Sequence, residues 1–115
     1  MKRIWKAFVY SCQGFRAAFA SEMAFRQDLA ALVVGTIVAL CLPVGTLEKG
    51  LLISSLVLIL LMELVNTAIE TTIDRISKIH HELSKKAKDI GSLLVLLSFV
   101  NAGIIWCAVV IPLFF

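Results

Sequence analysis

The sequence predicts an all-α membrane protein, built from an N-terminal amphipathic surface helix and three transmembrane helices. Three observations carry that prediction. Of the 115 residues, 60% are hydrophobic and only 17% are charged, with a mean hydropathy of +0.96, whereas an ordinary soluble domain has roughly 45–50% apolar residues. The apolar residues gather into three runs, each near the ~20 residues that cross a hydrocarbon core. The cations gather between those runs, which is how membrane topology is written into sequence. No Pro, Gly or Ser-rich stretch divides the chain, so residues 1–115 are read as one integral-membrane domain.

Residues 1–28 form the surface element. Ile4, Phe8, Cys12, Phe15 and Phe19 recur at three- and four-residue spacing with Lys2, Lys6, Gln13 and Arg16 between them, the pattern of a helix lying in the interface. The first span is 29–47, LAALVVGTIVALCLPVGTL, 19 residues without a charge. Glu48-Lys49-Gly50 reads as a short turn. The second span is 50–73, apolar at first and then carrying Glu63, Asn66 and Glu70. A charged segment, 74–89, reads as a loop, and the third span is 90–112 within an uncharged stretch that reaches residue 115.

Lys and Arg number five before the first span, one in the first turn and five in 74–89. The positive-inside rule then makes the N-terminus and the 74–89 loop cytoplasmic and puts the C-terminus on the far side. Cys12, Cys41 and Cys107 are odd in number and widely spaced, and so give neither a disulfide framework nor a metal site.

The second span holds the chemistry. At about 100° per residue, Asn66, Thr67, Glu70 and Asp74 fall about −60°, +40°, −20° and +20° from Glu63, so all five share one face. An ionisable residue at the centre of a span costs on the order of 2.5–3.5 kcal/mol on insertion scales, so these carboxylates face protein, water or a ligand. Glu63 lies roughly 21 Å along the helix from Lys49 and Glu70 roughly 32 Å, which makes Glu63 the deeper group and Glu70 the one near the headgroups. A base at the deep end could meet a lipid hydroxyl while a carboxylate at the shallow end could hold a metal-bound phosphate. The plainer alternative is that Asn66 and Thr67 only join helices by hydrogen bonds.

Around that face, Lys88 and Asp89 are candidates to hold phosphate and to order a metal's water shell. Lys85 and Lys86 read more simply as attraction to anionic headgroups. His80 and His81 lack a second ligand pair at zinc spacing and read as solvated loop residues. Glu22, just before the first span, would share one Mg²⁺ with Glu70 if the two meet, because that ion takes one or two carboxylates plus substrate phosphates. No phosphate-binding glycine loop or kinase catalytic-loop motif is present.

EMAFRQD at 22–28, ELVNTAIETTID at 63–74 and HELSKKAKDIGS at 81–92, in this order around three spans, resemble the bacterial integral-membrane diacylglycerol kinase family. The likeness runs from about Arg3 to Trp106. It implies a homotrimer in the bacterial inner membrane that transfers the γ-phosphoryl group of Mg-ATP to the hydroxyl of diacylglycerol. By position, Glu63 matches the family's general base, and Glu22 and Glu70 match its metal ligands. Asn66, Lys88 and Asp89 match residues around the ATP phosphates, with Glu22 and Glu70 beside them, and Arg3, Tyr10, Ile79, His80 and His81 match nucleotide contacts. Arg16, Ala17, Ala18 and Phe19, then Ala24, Phe25, Arg26, Gln27 and Asp28, with Lys49, Glu63, Ser92 and Trp106, match lipid-substrate positions. Asp28 stands where that family commonly has Glu, and His80 where Tyr is frequent. Cys12 and Phe19 stand where Trp occurs.

Three rival readings remain at this stage. An undecaprenol kinase keeps the same catalytic residues with a polyprenol acceptor. A small proton-coupled transporter uses an intramembrane Glu to exchange protons and a cation. A purely structural oligomer leaves the Glu63 and Glu70 pair without a role.

Overall fold

The computed structural model describes residues 1–115 as four helices, α1 (Lys2–Ser21), α2 (Met23–Cys41), α3 (Thr46–Ile76) and α4 (Glu82–Phe114). The last three are long and apolar enough to cross a membrane. α3 lies in the middle and packs on both α2 and α4, while α1 touches chiefly α2. The result is a slab of 52 × 40 × 22 Å. Its thickness is about two helix diameters.

α1 is amphipathic, as its spacing predicts, and Ile4, Phe8, Phe15 and Phe19 are all exposed along it, a face suited to the headgroup and acyl boundary. The helical ladder breaks at Glu22, whose backbone is extended (φ −115°, ψ 109°). The expected boundary after Asp28 therefore falls several residues earlier, and residues 23–28 form the first turns of α2. No Gly or Pro stands at the break. What fixes it is tertiary: Phe25, 2% exposed, meets the edge of Phe15 at a centroid distance of 5.4 Å.

α2 ends at Cys41 because Pro43 pushes Leu42 into extended backbone (φ −72°, ψ 144°). The turn between the first two spans is thus residues 42–45, and Glu48-Lys49-Gly50, expected as that turn, lies in the opening of α3, with Lys49 N–H donating to Gly45 O at 3.0 Å. Pro and Gly set this boundary and charge does not. Lys49 Nζ reaches back to Leu40 O at 3.1 Å, covering one of the carbonyls that the end of α2 leaves open.

α3 has 31 residues and α4 has 33, so at about 1.5 Å per residue each exceeds a ~30 Å hydrocarbon core. The C-terminal end of α3 and the N-terminal end of α4 absorb most of the segment expected as a loop, leaving only residues 77–81 outside helices. His81 caps α4, its Nδ1 accepting from Leu83 N–H at 3.1 Å, and Ser77 Oγ accepts from Ile79 N–H at 3.0 Å.

Nine residues are buried. Leu52, Ser55 and Ile59 are the buried stripe of α3, and the buried residues of its neighbours are mostly small: Ala39 of α2, and Gly91, Ser98 and Ala102 of α4. Small residues let helix backbones approach where no hydrophobic drive operates between them. Ser55 Oγ accepts from Trp106 Nε1 at 3.1 Å, tying α3 to α4 away from the carboxylates.

Candidate functional site

The polar face of α3 meets both neighbours. Glu63 faces Asp28 of α2, their carboxyl groups within hydrogen-bonding reach of each other, and Asp28 Oδ2 is buried without a partner. Glu63 also lies in the fields of Glu70 and Glu22. One turn on, Asn66 Nδ2 donates to Glu70 Oε1 at 3.3 Å. Asn66 Oδ1 is buried and unpartnered, turned toward the backbone of Gly91, where an added Cβ would strike it. Two turns beyond Asn66, Asp74 Oδ1 accepts from Lys88 Nζ of α4 at 3.0 Å.

Lys88 and Asp89, both expected around the phosphates, take different partners. They are sequence neighbours, but a helix turns them about 100° apart. Lys88 bridges to α3, and Asp89 accepts from Lys85 Nζ one turn earlier at 2.6 Å. Both still line one cleft of about 370 Å³, together with Ile79, His80 and His81. Five of the residues expected at the nucleotide therefore share a cleft beside the shallow end of the polar face. Arg3 and Tyr10 line a separate hollow on α1, with Lys2 and Lys6.

The positions expected for lipid divide. Arg16 and Phe19 line an open, largely apolar hollow on α1 with Cys12 and Phe15. Gln27 and Ser92 are exposed and Ala24 is half-buried, whereas Ala18 and Phe25 are packed away between α1 and α2. Arg26 is turned back onto α1, donating to Phe19 O at 2.6 Å and Ala20 O at 3.4 Å. Lys49 stands roughly 21 Å along α3 from Glu63, and Trp106 is bonded to Ser55, eight residues or about 12 Å from it. Neither joins the carboxylates.

One residue and one pairing were not evident from the sequence. Gly91 follows Lys88-Asp89 inside an apolar run, and a small residue there is the ordinary mark of close helix approach. The Asp74–Lys88 bridge had a weaker signal, an acid on the Glu63 face and a cation on the opposite strand of the helical hairpin. Three or more His, Cys, Asp or Glu side chains do not converge anywhere as a group able to hold a metal. Glu63 does lie in the fields of both Glu70 and Glu22, and carboxylate oxygens are hard donors of the kind Mg²⁺ takes when phosphates complete its shell.

The fold and this face define a multi-pass membrane protein with an acid–amide site at the end of its central helix. The profile of the prokaryotic diacylglycerol kinase family matches residues 9–110, and the chain belongs to that family. It is 46% identical to a diacylglycerol kinase of Escherichia coli K12 over 105 residues, covering 91% of this chain and 86% of the relative. A diacylglycerol kinase of Pseudomonas aeruginosa shares 42% over 111 residues, 96% and 90% of the two chains, and one of Helicobacter pylori J99 shares 37% over 114 residues, 99% and 89%. Membership makes the chain an enzyme of the kinase class.

Proposed function

We infer that this protein transfers the γ-phosphoryl group of Mg-ATP to the free hydroxyl of a 1,2-diacylglycerol, giving phosphatidic acid and ADP. The observation that carries the reading is the order of groups along one face of α3: Glu63 deep, Asn66 and Glu70 above it, then Asp74 with Lys88 at the edge of the cleft lined by Ile79, His80 and His81. Family membership and the names of the relatives support it. The transporter and purely structural readings draw nothing from those relatives.

In this mechanism a Glu63 oxygen accepts the proton of the lipid hydroxyl as its oxygen forms a bond to the γ-phosphorus. The bond from that phosphorus to the bridging oxygen breaks, and ADP leaves. Phosphoryl transfer asks mainly for positioning and charge neutralisation, and Lys88 supplies a cation once the phosphates displace Asp74 from it. Glu70 and Glu22 would hold the ion, with the Asn66 amide N–H donating to Glu70 and fixing its carboxylate. When bound, Mg²⁺ neutralises phosphate charge. Asp89 orders water at the cleft, Arg3, Tyr10, Ile79, His80 and His81 bind the nucleoside, and Arg16, Ala17, Phe19, Ala24, Gln27 and Ser92 border the lipid.

The assembly in this reading is a homotrimer in the bacterial inner membrane, its N-terminus and the 77–81 connector cytoplasmic and its C-terminus periplasmic. A slab that buries only nine residues and carries Arg3 and Tyr10 apart from the connector cleft is compatible with a site completed between subunits. The test is transfer of labelled phosphate from Mg-ATP by purified protein in mixed micelles, with dioleoylglycerol or undecaprenol as acceptor. Labelled phosphatidic acid supports the reading, preference for undecaprenol moves the substrate, and no transfer to either overturns it.

A further inference from the structure

The end of α1 carries an arrangement that the lipid-contact reading of Arg26 does not use. A helix leaves its last four carbonyls without an intrahelical donor. In α1, Ala18 O is taken by the N–H of Glu22 at 2.9 Å, and Arg26, reaching back from α2, donates to Phe19 O at 2.6 Å and to Ala20 O at 3.4 Å. One guanidinium thus covers two open carbonyls and places a cation at the negative end of the helix dipole. Four residues away in α1, Phe15 meets the edge of Phe25. Phe25 and Arg26 are adjacent, and together they fix the start of α2 to the end of α1 by two contacts that each span the extended residue Glu22.

We propose that Arg26 is a positioning residue, clamping the α1–α2 junction and thereby setting the place of the Glu22 carboxylate. Its guanidinium is committed to backbone carbonyls and does not serve as a lipid-headgroup contact. Both bonds come from one nitrogen, Nη1, and a lysine in its place keeps the charge but not the planar guanidinium that holds this nitrogen in position. Glutamine removes the charge and shortens the side chain.

This rests on the reading of Glu22 as a metal ligand, so the test has one arm that needs no activity. Cys12 of α1 and Cys41 at the end of α2 are both exposed and free. With Cys107→Ser, both are spin-labelled, and labelled subunits are diluted into unlabelled ones before the Cys12–Cys41 distance distribution is measured in nanodiscs. The clamp predicts a narrow distribution that broadens in Arg26→Gln and broadens less in Arg26→Lys. In the assay, Arg26→Gln raises the Mg²⁺ concentration for half-maximal rate about tenfold, the worth of roughly one charge-assisted hydrogen bond, with the KM for dioleoylglycerol unchanged, and Arg26→Lys falls between.

An unchanged distance distribution, a raised lipid KM without a changed Mg²⁺ requirement, or a broadened distribution with a normal Mg²⁺ requirement each overturns the proposal. Glu22→Gln, assayed in parallel, separates the causes. A raised Mg²⁺ requirement in Glu22→Gln alone leaves Glu22 as ligand and removes Arg26 as its positioner. A normal requirement in both removes the reading of Glu22 itself.

Discussion

Asn66 and Gly91 meet across the α3–α4 interface so closely that a methyl group on Gly91 would overlap the amide oxygen of Asn66. The contact leaves that oxygen buried and unpartnered while the amide nitrogen donates to Glu70. A glycine is therefore needed here for space, and its backbone sets the rotamer of a residue in the polar face.

Gly91→Ala is expected to displace Asn66 and lower kcat about tenfold, with a stability loss in the ~1–3 kcal/mol range of overpacked sites. Gly103→Ala, in the same helix with nothing within 4 Å of an added Cβ, serves as the control and should be neutral in both. Steady-state kinetics and detergent-challenge unfolding of the two variants check this. Equal effects at both positions would reduce Gly91 to an ordinary helix glycine.

Lys88 and Asp74 are each about 40% exposed, at 40% and 42%, and surface ion pairs of this kind contribute about 0–1 kcal/mol. Lys88→Met should consequently leave stability within about 1 kcal/mol yet reduce phosphate transfer by at least about a hundredfold, as loss of a cation on the transferring group does. Asp74→Asn frees Lys88 and should cost activity far less. Thermal unfolding and initial rates on both variants provide the comparison.

Glu70 accepts from Asn66 and stands two turns beyond Glu63 toward the C-terminal end of α3. Glu70→Gln is expected to weaken Mg-ATP by about tenfold or more, since a charge-assisted contact is worth ~1.5–3 kcal/mol, and excess Mg²⁺ should restore part of the rate. The readout is the KM for ATP at two Mg²⁺ concentrations. An unchanged KM at both would take Glu70 out of the metal site.

Ser55 receives the Trp106 indole N–H at 3.1 Å and is itself 2% exposed. Ser55→Ala leaves the half-buried indole N–H of Trp106 without a partner, which costs up to about 1–3 kcal/mol. The melting temperature should fall while the specific activity of the folded fraction holds, because the bond lies about 12 Å from Glu63.

The face of α3 was legible in sequence because a carboxylate inside an apolar run has few reasons to be there, and 3.6-residue periodicity is enough to align Glu63, Asn66, Glu70 and Asp74. What it opposes was not legible. The Asp74–Lys88 bridge and the Asn66–Gly91 contact join residues 14 and 25 positions apart in the numbering, and their pairing depends on how α3 and α4 are set against each other. Charge was also a poor guide to boundaries: Glu48-Lys49-Gly50 is helical because Pro43 and Gly45 had already made the turn. The break at Glu22 carries no local breaker, and is held by Phe25 and Arg26 from the next helix.

The central assignment is Glu63 as the base that takes the lipid hydroxyl proton. The most direct measurement is the single-turnover transfer of labelled phosphate to dioleoylglycerol by Glu63→Gln, set beside its ATP affinity by equilibrium binding. A loss of 10²-fold or more in the transfer rate, the scale of general-base contributions, with ATP affinity within about twofold of the parent, is the predicted result. A variant that transfers at the parent rate, or one whose defect is wholly in ATP binding, would contradict it.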